Sequence, residues 1–126
     1  MSHPKIALCF GTRPEVIKLF PVIAELRERL PREALRLICT GQHDALLDLC
    51  LDLLGGEPDV RLEVFERGQP LTSLVSRMLS ELGEVLRDER PDVLVVQGDT
   101  ATTMAGVWLG TWVVFRSLRK QKTLRV

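Results

Sequence analysis

The apolar run Ile6-Ala7-Leu8-Cys9-Phe10 stops at Gly11, and shortly afterwards Pro14 and Glu15 open a helical pattern. A continuous apolar run reads as a strand covered on both faces, and strand, tight turn and helix in succession make a βα unit. That restricts the chain to layered α/β architectures. Arg13 sits in the turn, so a fixed cation stands at a helix N-terminus, an arrangement suited to a phosphate or pyrophosphate. A second turn of this kind, Gln97-Gly98-Asp99-Thr100, carries a carboxylate where the first carries the cation.

The pattern repeats. Glu15–Leu30 has apolar residues at 16, 19, 20, 23, 26 and 30, a helical face that Pro21 is expected to distort or divide. Ala34–Cys39 reads as a second strand, closed by Thr40-Gly41, and Asp44–Leu54 as a second helix, stopped by Gly55-Gly56. Val60–Phe65 alternates apolar and charged residues, as an edge strand does. After the turn Gly68-Gln69-Pro70, Leu71–Leu86 is the clearest amphipathic helix in the chain. Pro91-Asp92 breaks it, Val93–Val96 reads as strand four, and a fourth helix begins over Thr100–Leu109.

Four βα units predict a Rossmann-like α/β fold, a parallel sheet flanked by helices and joined by right-handed crossovers. In the doubly wound order 3-2-1-4, strands one and four are neighbours and the chain reverses direction between them. Ligands bind at that switch point, beyond the carboxyl ends of the strands. The turn after strand one (Arg13), the turn after strand two (Gly41-Gln42-His43) and the turn after strand four (Asp99) all open on that edge.

At 126 residues the chain is one domain at most. No apolar stretch reaches the ~18 residues of a membrane span, and Met1-Ser2-His3-Pro4-Lys5 lacks a signal-peptide pattern. Cys9, Cys39 and Cys50 are odd in number and embedded in apolar runs, which reads as reduced thiols of a cytoplasmic protein. The formal net charge of zero hides a split. All 17 acidic residues and 12 of the 17 basic ones lie in residues 1–110, a net −5, whereas Arg116, Arg119, Lys120, Lys122 and Arg125 give the rest +5. The split marks a boundary: an α/β domain over 1–110 and a basic tail over 111–126. Thr111–Phe115 is apolar enough to fill a fifth-strand slot, with Arg116–Val126 expected as a solvated helix or disordered. Residues 1–110 are acidic and carry no aromatic platform, which argues against nucleic acid as a partner.

Each candidate residue has two readings. Arg13 is a phosphate ligand or a surface ion-pair former at a helix start. Lys18, one turn into the helix, is a second phosphate contact or a solvated lysine. Asp99 follows an apolar strand end and is a helix cap, or a general acid or base in a partly desolvated crevice. Thr100, Thr102 and Thr103 line the crevice or cap the helix. Gln42 and His43 offer sugar or phosphate contacts, against a loop histidine with no partner. No Cys/His/carboxylate group has metal spacing, and neither a GxGxxG nor a P-loop pattern occurs, so neither a metal nor a nucleotide cofactor is expected.

Phe10-Gly11-Thr12-Arg13-Pro14-Glu15-Val16-Ile17-Lys18, followed by Thr40-Gly41-Gln42-His43 and Gln97-Gly98-Asp99-Thr100, closely resembles the non-hydrolysing UDP-N-acetylglucosamine 2-epimerases. The resemblance covers about residues 5–110, the front of the first of that family's two domains. It implies a two-domain glycosyltransferase B-type fold and a homodimeric parent enzyme that interconverts UDP-GlcNAc and UDP-ManNAc without a cofactor. Carried over by motif, Arg13 and Lys18 would contact the substrate diphosphate, Gln42, His43 and Thr100 would bind substrate, and Asp99 would take part in acid/base work. After Gly110 the family would continue into a His-Val-Glu-Ala-Gly-Leu-Arg-like segment bearing another catalytic glutamate. This chain reads Thr111-Trp112-Val113-Val114-Phe115-Arg116 instead, for which the simplest account is a truncated, frameshifted gene and the alternative a natural short variant with a basic tail; an inactive fragment is expected. Two rivals remain: a fragment of a hydrolysing relative that releases free ManNAc, and a non-catalytic module that binds a sugar nucleotide or a protein.

Overall fold

The computed structural model describes residues 3–41, 45–97 and 101–118, with side chains described as far as 109. Its order is β1 (Ile6–Phe10), α1 (Arg13–Arg29), β2 (Leu35–Cys39), α2 (Ala45–Leu53), β3 (Val60–Arg61), α3 (Leu71–Glu89), β4 (Val93–Val95) and α4 (Ala101–Leu118), with one turn of 3-10 helix before β2. The sheet runs β3-β2-β1-β4 and every pairing is parallel, as the βα repeat predicts. Ile6 stands opposite both Leu35 and Val93, which makes β1 the central strand.

Alternation along β1 sends its side chains into two cores. Leu8 and Phe10 join Val16, Leu19 and Ile23 of α1 and Leu47 and Leu51 of α2 on one face. Ala7 and Cys9 join Met78, Leu82 and Leu86 of α3 and Ala105 of α4 on the other. The helices therefore lie two to a face.

Three local expectations change. α1 runs unbroken through Pro21. The carbonyl that Pro21 cannot serve belongs to Ile17, a half-exposed residue whose side of the helix is open to water. β3 is short because it joins the sheet at Ile38 and Cys39, the last residues of β2, and so runs past the end of its partner. Leu62 keeps one bond to the Cys39 carbonyl at 2.8 Å, and Leu62 and Val64 remain buried beyond the ladder. The third change is larger. Residues 111–115 are not a fifth strand, because α4 continues through them to Leu118. Valines and aromatic residues favour strands only weakly, and nothing after Gly110 breaks the helix already under way.

The amino edge of the sheet is tied by charge. Lys5 bridges Glu89 at 2.9 Å, Arg36 reaches both Glu89 (3.1 Å) and Asp59 (3.4 Å), and the Lys5 amide donates to Asp92 at 2.8 Å. These contacts leave the opposite, carboxyl edge as the one where polar turns gather.

Candidate functional site

The carboxyl edge is built around Gly11. A Cβ on Gly11 would lie 2.5 Å from Thr102 Oγ1 and 2.6 Å from Thr40 Oγ1. A Cβ on Gly41 would run into the Gly11 carbonyl oxygen and come within 2.9 Å of Leu47. Neither glycine has a positive φ; the need is for space, since two backbones touch here. The Thr40 and Thr102 hydroxyls hydrogen-bond at 2.6 Å, and the Thr40 amide donates to the Phe10 carbonyl at 2.8 Å. The turns after β1 and β2 and the start of α4 are thus joined at one point. Gln97, just past β4, accepts a 2.8 Å bond from Thr103 Oγ1, which draws the β4 exit to the same place.

The turn after β1 has its own tie. Thr12 takes the N-cap position of α1 in extended conformation, but its side chain makes no capping bond. Glu15, three residues on, accepts a hydrogen bond from the Gly11 amide at 2.6 Å and is only 2 % exposed. Thr12-Arg13-Pro14-Glu15 has the spacing of a capping box, with the glutamate reaching one residue beyond the usual amide. That spacing was the sequence signal for Glu15, a residue the motif reading passed over. Thr40 and Thr102 were also missed as a pair. The Thr102 hydroxyl is buried against Thr40.

Burial and charge act together beneath the turn. Desolvation first, then the Glu15 and Cys39 charges, push the Cys9 thiol up to about 12. Burial likewise raises Cys39, partly offset by a hydrogen bond from the Gly41 backbone. Both thiols belong to the core and not to the chemistry.

Arg13 is the first residue of α1 and is exposed at this edge, as the sequence places it. Lys18 is also exposed. At 3.6 residues per turn, five positions set it about 140° round the helix from Arg13, so the two do not sit side by side. Gln42, His43, Asp99 and Thr100 lie outside the described residues. A cavity of about 420 Å³ opens at the other edge, lined by Arg27, Leu30, Leu54 and Asp59 among others, and contains none of the candidates. Among the described residues no cluster of histidine, cysteine and carboxylates could hold a metal, and no helix is long and apolar enough to cross a membrane.

An open parallel sheet with a switch point between β1 and β4, and polar turns joined at its carboxyl edge, defines a partial Rossmann-like domain of the glycosyltransferase B type. A sequence profile described as UDP-N-acetylglucosamine 2-epimerase matches residues 25–113, more than half of the chain. The UDP-N-acetylglucosamine 2-epimerase of Bacillus subtilis is 39% identical over 106 residues, 84% of this chain and 28% of its own length. That of Salmonella typhimurium is 42% identical over 101 residues, 80% of this chain and 27% of its own. The crystal structure of the Neisseria meningitidis UDP-GlcNAc 2-epimerase bound to UDP-GlcNAc matches 86% of this chain and 29% of its own, with a TM-score of 0.77 and 36% identity. The chain belongs to the UDP-N-acetylglucosamine 2-epimerase family, and spans a little over a quarter of the length of these relatives.

Proposed function

We propose that this chain supplies one wall of a UDP-sugar cleft in a cytoplasmic, homodimeric, non-hydrolysing epimerase that interconverts UDP-GlcNAc and UDP-ManNAc. The observation that carries the reading is the joining of the β1, β2 and β4 exits at one edge, in a fold shared with a relative crystallised with UDP-GlcNAc. In this reaction the C2 proton is removed as the C1–O bond to UDP breaks, leaving a 2-acetamidoglucal. UDP then re-adds at C1 as a proton returns to the other face of C2. Arg13 and Lys18 would offset charge on the departing diphosphate, Gln42, His43 and Thr100 would bind the sugar nucleotide, and Asp99 would take part in moving the proton.

Residues 1–110 carry this wall. Residues 111–126, a basic stretch of which the family profile reaches only 111–113, are assigned to a change of reading frame; family sequence resuming in another frame of the downstream DNA supports that, and unrelated DNA overturns it. One wall does not exclude water, and a misplacement of ~1 Å can cost ~100-fold in rate, so the chain by itself is expected to be inactive.

The test is a UDP titration of residues 1–126 together with an epimerisation assay. Weak, salt-sensitive binding that Arg13→Ala abolishes is the expected result. Robust turnover by the chain alone would refute the one-wall reading. In a longer protein bearing these residues, Asp99→Asn should cut turnover far more than binding. UDP-ManNAc as product supports the non-hydrolysing reaction; free ManNAc sinks it.

A further inference from the structure

Carboxylates are seldom fully buried without a partner, and Glu15 is the one acidic side chain among the described residues counted as buried. Its Oε2 accepts from the Gly11 amide, four residues back and on the other side of the turn that carries Arg13. At most strand–helix turns that bind phosphate, the free amides of the turn point at the anion. Here the first of those amides is already engaged inside the protein. The same turn is fixed from three further directions. Thr40 and Thr102 hydroxyls flank Gly11, the Thr40 amide holds the Phe10 carbonyl, and the Val16 amide holds the Thr12 carbonyl at 3.2 Å.

We propose that Glu15 is a positioning residue of the candidate site. By taking the Gly11 amide it fixes the turn that presents Arg13, and it leaves contact with an anionic ligand to side chains in place of that amide. The inference rests on the UDP-sugar reading for its ligand, but not for its geometry. At Gly11 what matters is a hydrogen-bond acceptor at this reach, which a glutamine supplies as a glutamate does. A buried amide left without its acceptor would swing the turn toward water or toward the ligand, and Arg13 would lose its fixed starting point.

Two substitutions in the full 126-residue chain separate the possibilities. Glu15→Gln keeps the reach and removes the charge, whereas Glu15→Asp keeps the charge and is one methylene too short. The readouts are hydrogen exchange at the Gly11 amide by NMR, measured without ligand, and the affinity for UDP. Glu15→Gln should match the unsubstituted chain within about twofold in both. Glu15→Asp should lose about tenfold in both, the scale of one unmade buried hydrogen bond, while the amides of β1 and β2 keep their protection. Unchanged Gly11 exchange in Glu15→Asp would overturn the proposal, and so would a Glu15→Gln chain as impaired as Glu15→Asp. An unsubstituted chain that binds no UDP overturns the UDP-sugar reading instead, and Gly11 exchange still decides the role of Glu15 in the turn.

Discussion

The hydroxyls of Thr40 and Thr102 meet at 2.6 Å in the buried carboxyl edge, although 62 positions separate the two residues in sequence. One belongs to the exit of β2 and the other to the first turn of α4, and Gly11 lies between them. The contact fastens the exit of β2 to a helix packed on one face of the sheet, across the end of its central strand.

Thr40→Val should cost ~1–2 kcal/mol, because it takes the Thr40 hydroxyl from the buried Thr102 hydroxyl, and Thr102→Val should cost less, because Thr40 Oγ1 can still donate to the Phe10 carbonyl at 3.4 Å. The double substitution should cost clearly less than the two singles combined, since it removes both polar groups from the same contact. Urea denaturation of the three variants measures this. Strict additivity would mean that the hydroxyls do not interact.

Gly11→Ala and Gly41→Ala should destabilise for different reasons. At Gly11 the added methyl meets two hydroxyls that can turn aside, so a loss of ~1–3 kcal/mol is expected. At Gly41 it meets the Gly11 backbone, which cannot move without breaking the edge, and the loss should be the larger. Melting temperatures rank the two; equal shifts would contradict the difference in what each methyl strikes.

The three cysteines should differ in reactivity. Cys9 and Cys39 are buried with raised thiol values, whereas Cys50 is half-buried on α2. A thiol reagent at pH 8 should modify Cys50 in the folded chain and reach Cys9 and Cys39 only on unfolding. Mass spectrometry of partially labelled protein decides, and early labelling of Cys9 would contradict the burial of β1.

Glu89 ties stability to pH. Its carboxyl is held below the usual range, first by the Lys5 hydrogen bond and then, against the opposing effect of burial, by Arg36. A depressed carboxyl stabilises the fold in full above its unfolded value near ~4.3, and that contribution fades as pH falls through the lower folded value. Glu89→Gln should therefore cost about 1 kcal/mol at neutral pH and nothing once the carboxyl is protonated. Denaturation at pH 7 and at successively lower pH tests the convergence.

Much of this architecture is legible in the order of residues. The run Ile6–Phe10 and the helical face of Leu71–Leu86 are long, regular patterns, and the βα repeat leaves few ways to layer them, so the sheet order and its switch point follow. The length of β3 is not legible, because it depends on where β2 ends. Nor is the course of 111–115, where strand-favouring side chains follow a helix that nothing interrupts. At the site, Arg13 is announced by its turn. The Thr40–Thr102 contact is set by sheet register and helix docking, and no local pattern joins positions so far apart. Glu15 lies between these cases: its capping-box spacing is visible, but its reach to Gly11 and its burial come from the packing of α1 on β1.

The central position of β1 has a consequence for synthesis of the chain. Made before the other three described strands, β1 can pair with β2 as soon as residues 35–39 follow, but its other edge waits for Val93–Val95. Until then a strand as apolar as any in the protein presents a free row of amides and carbonyls, open to a neighbouring nascent chain. The α3 helix, whose Met78, Leu82 and Leu86 pack over Ala7 and Cys9, leaves the ribosome just before β4. Of the four described strands, the last to be made closes the first, so the exposed edge of β1 persists through the synthesis of everything between them.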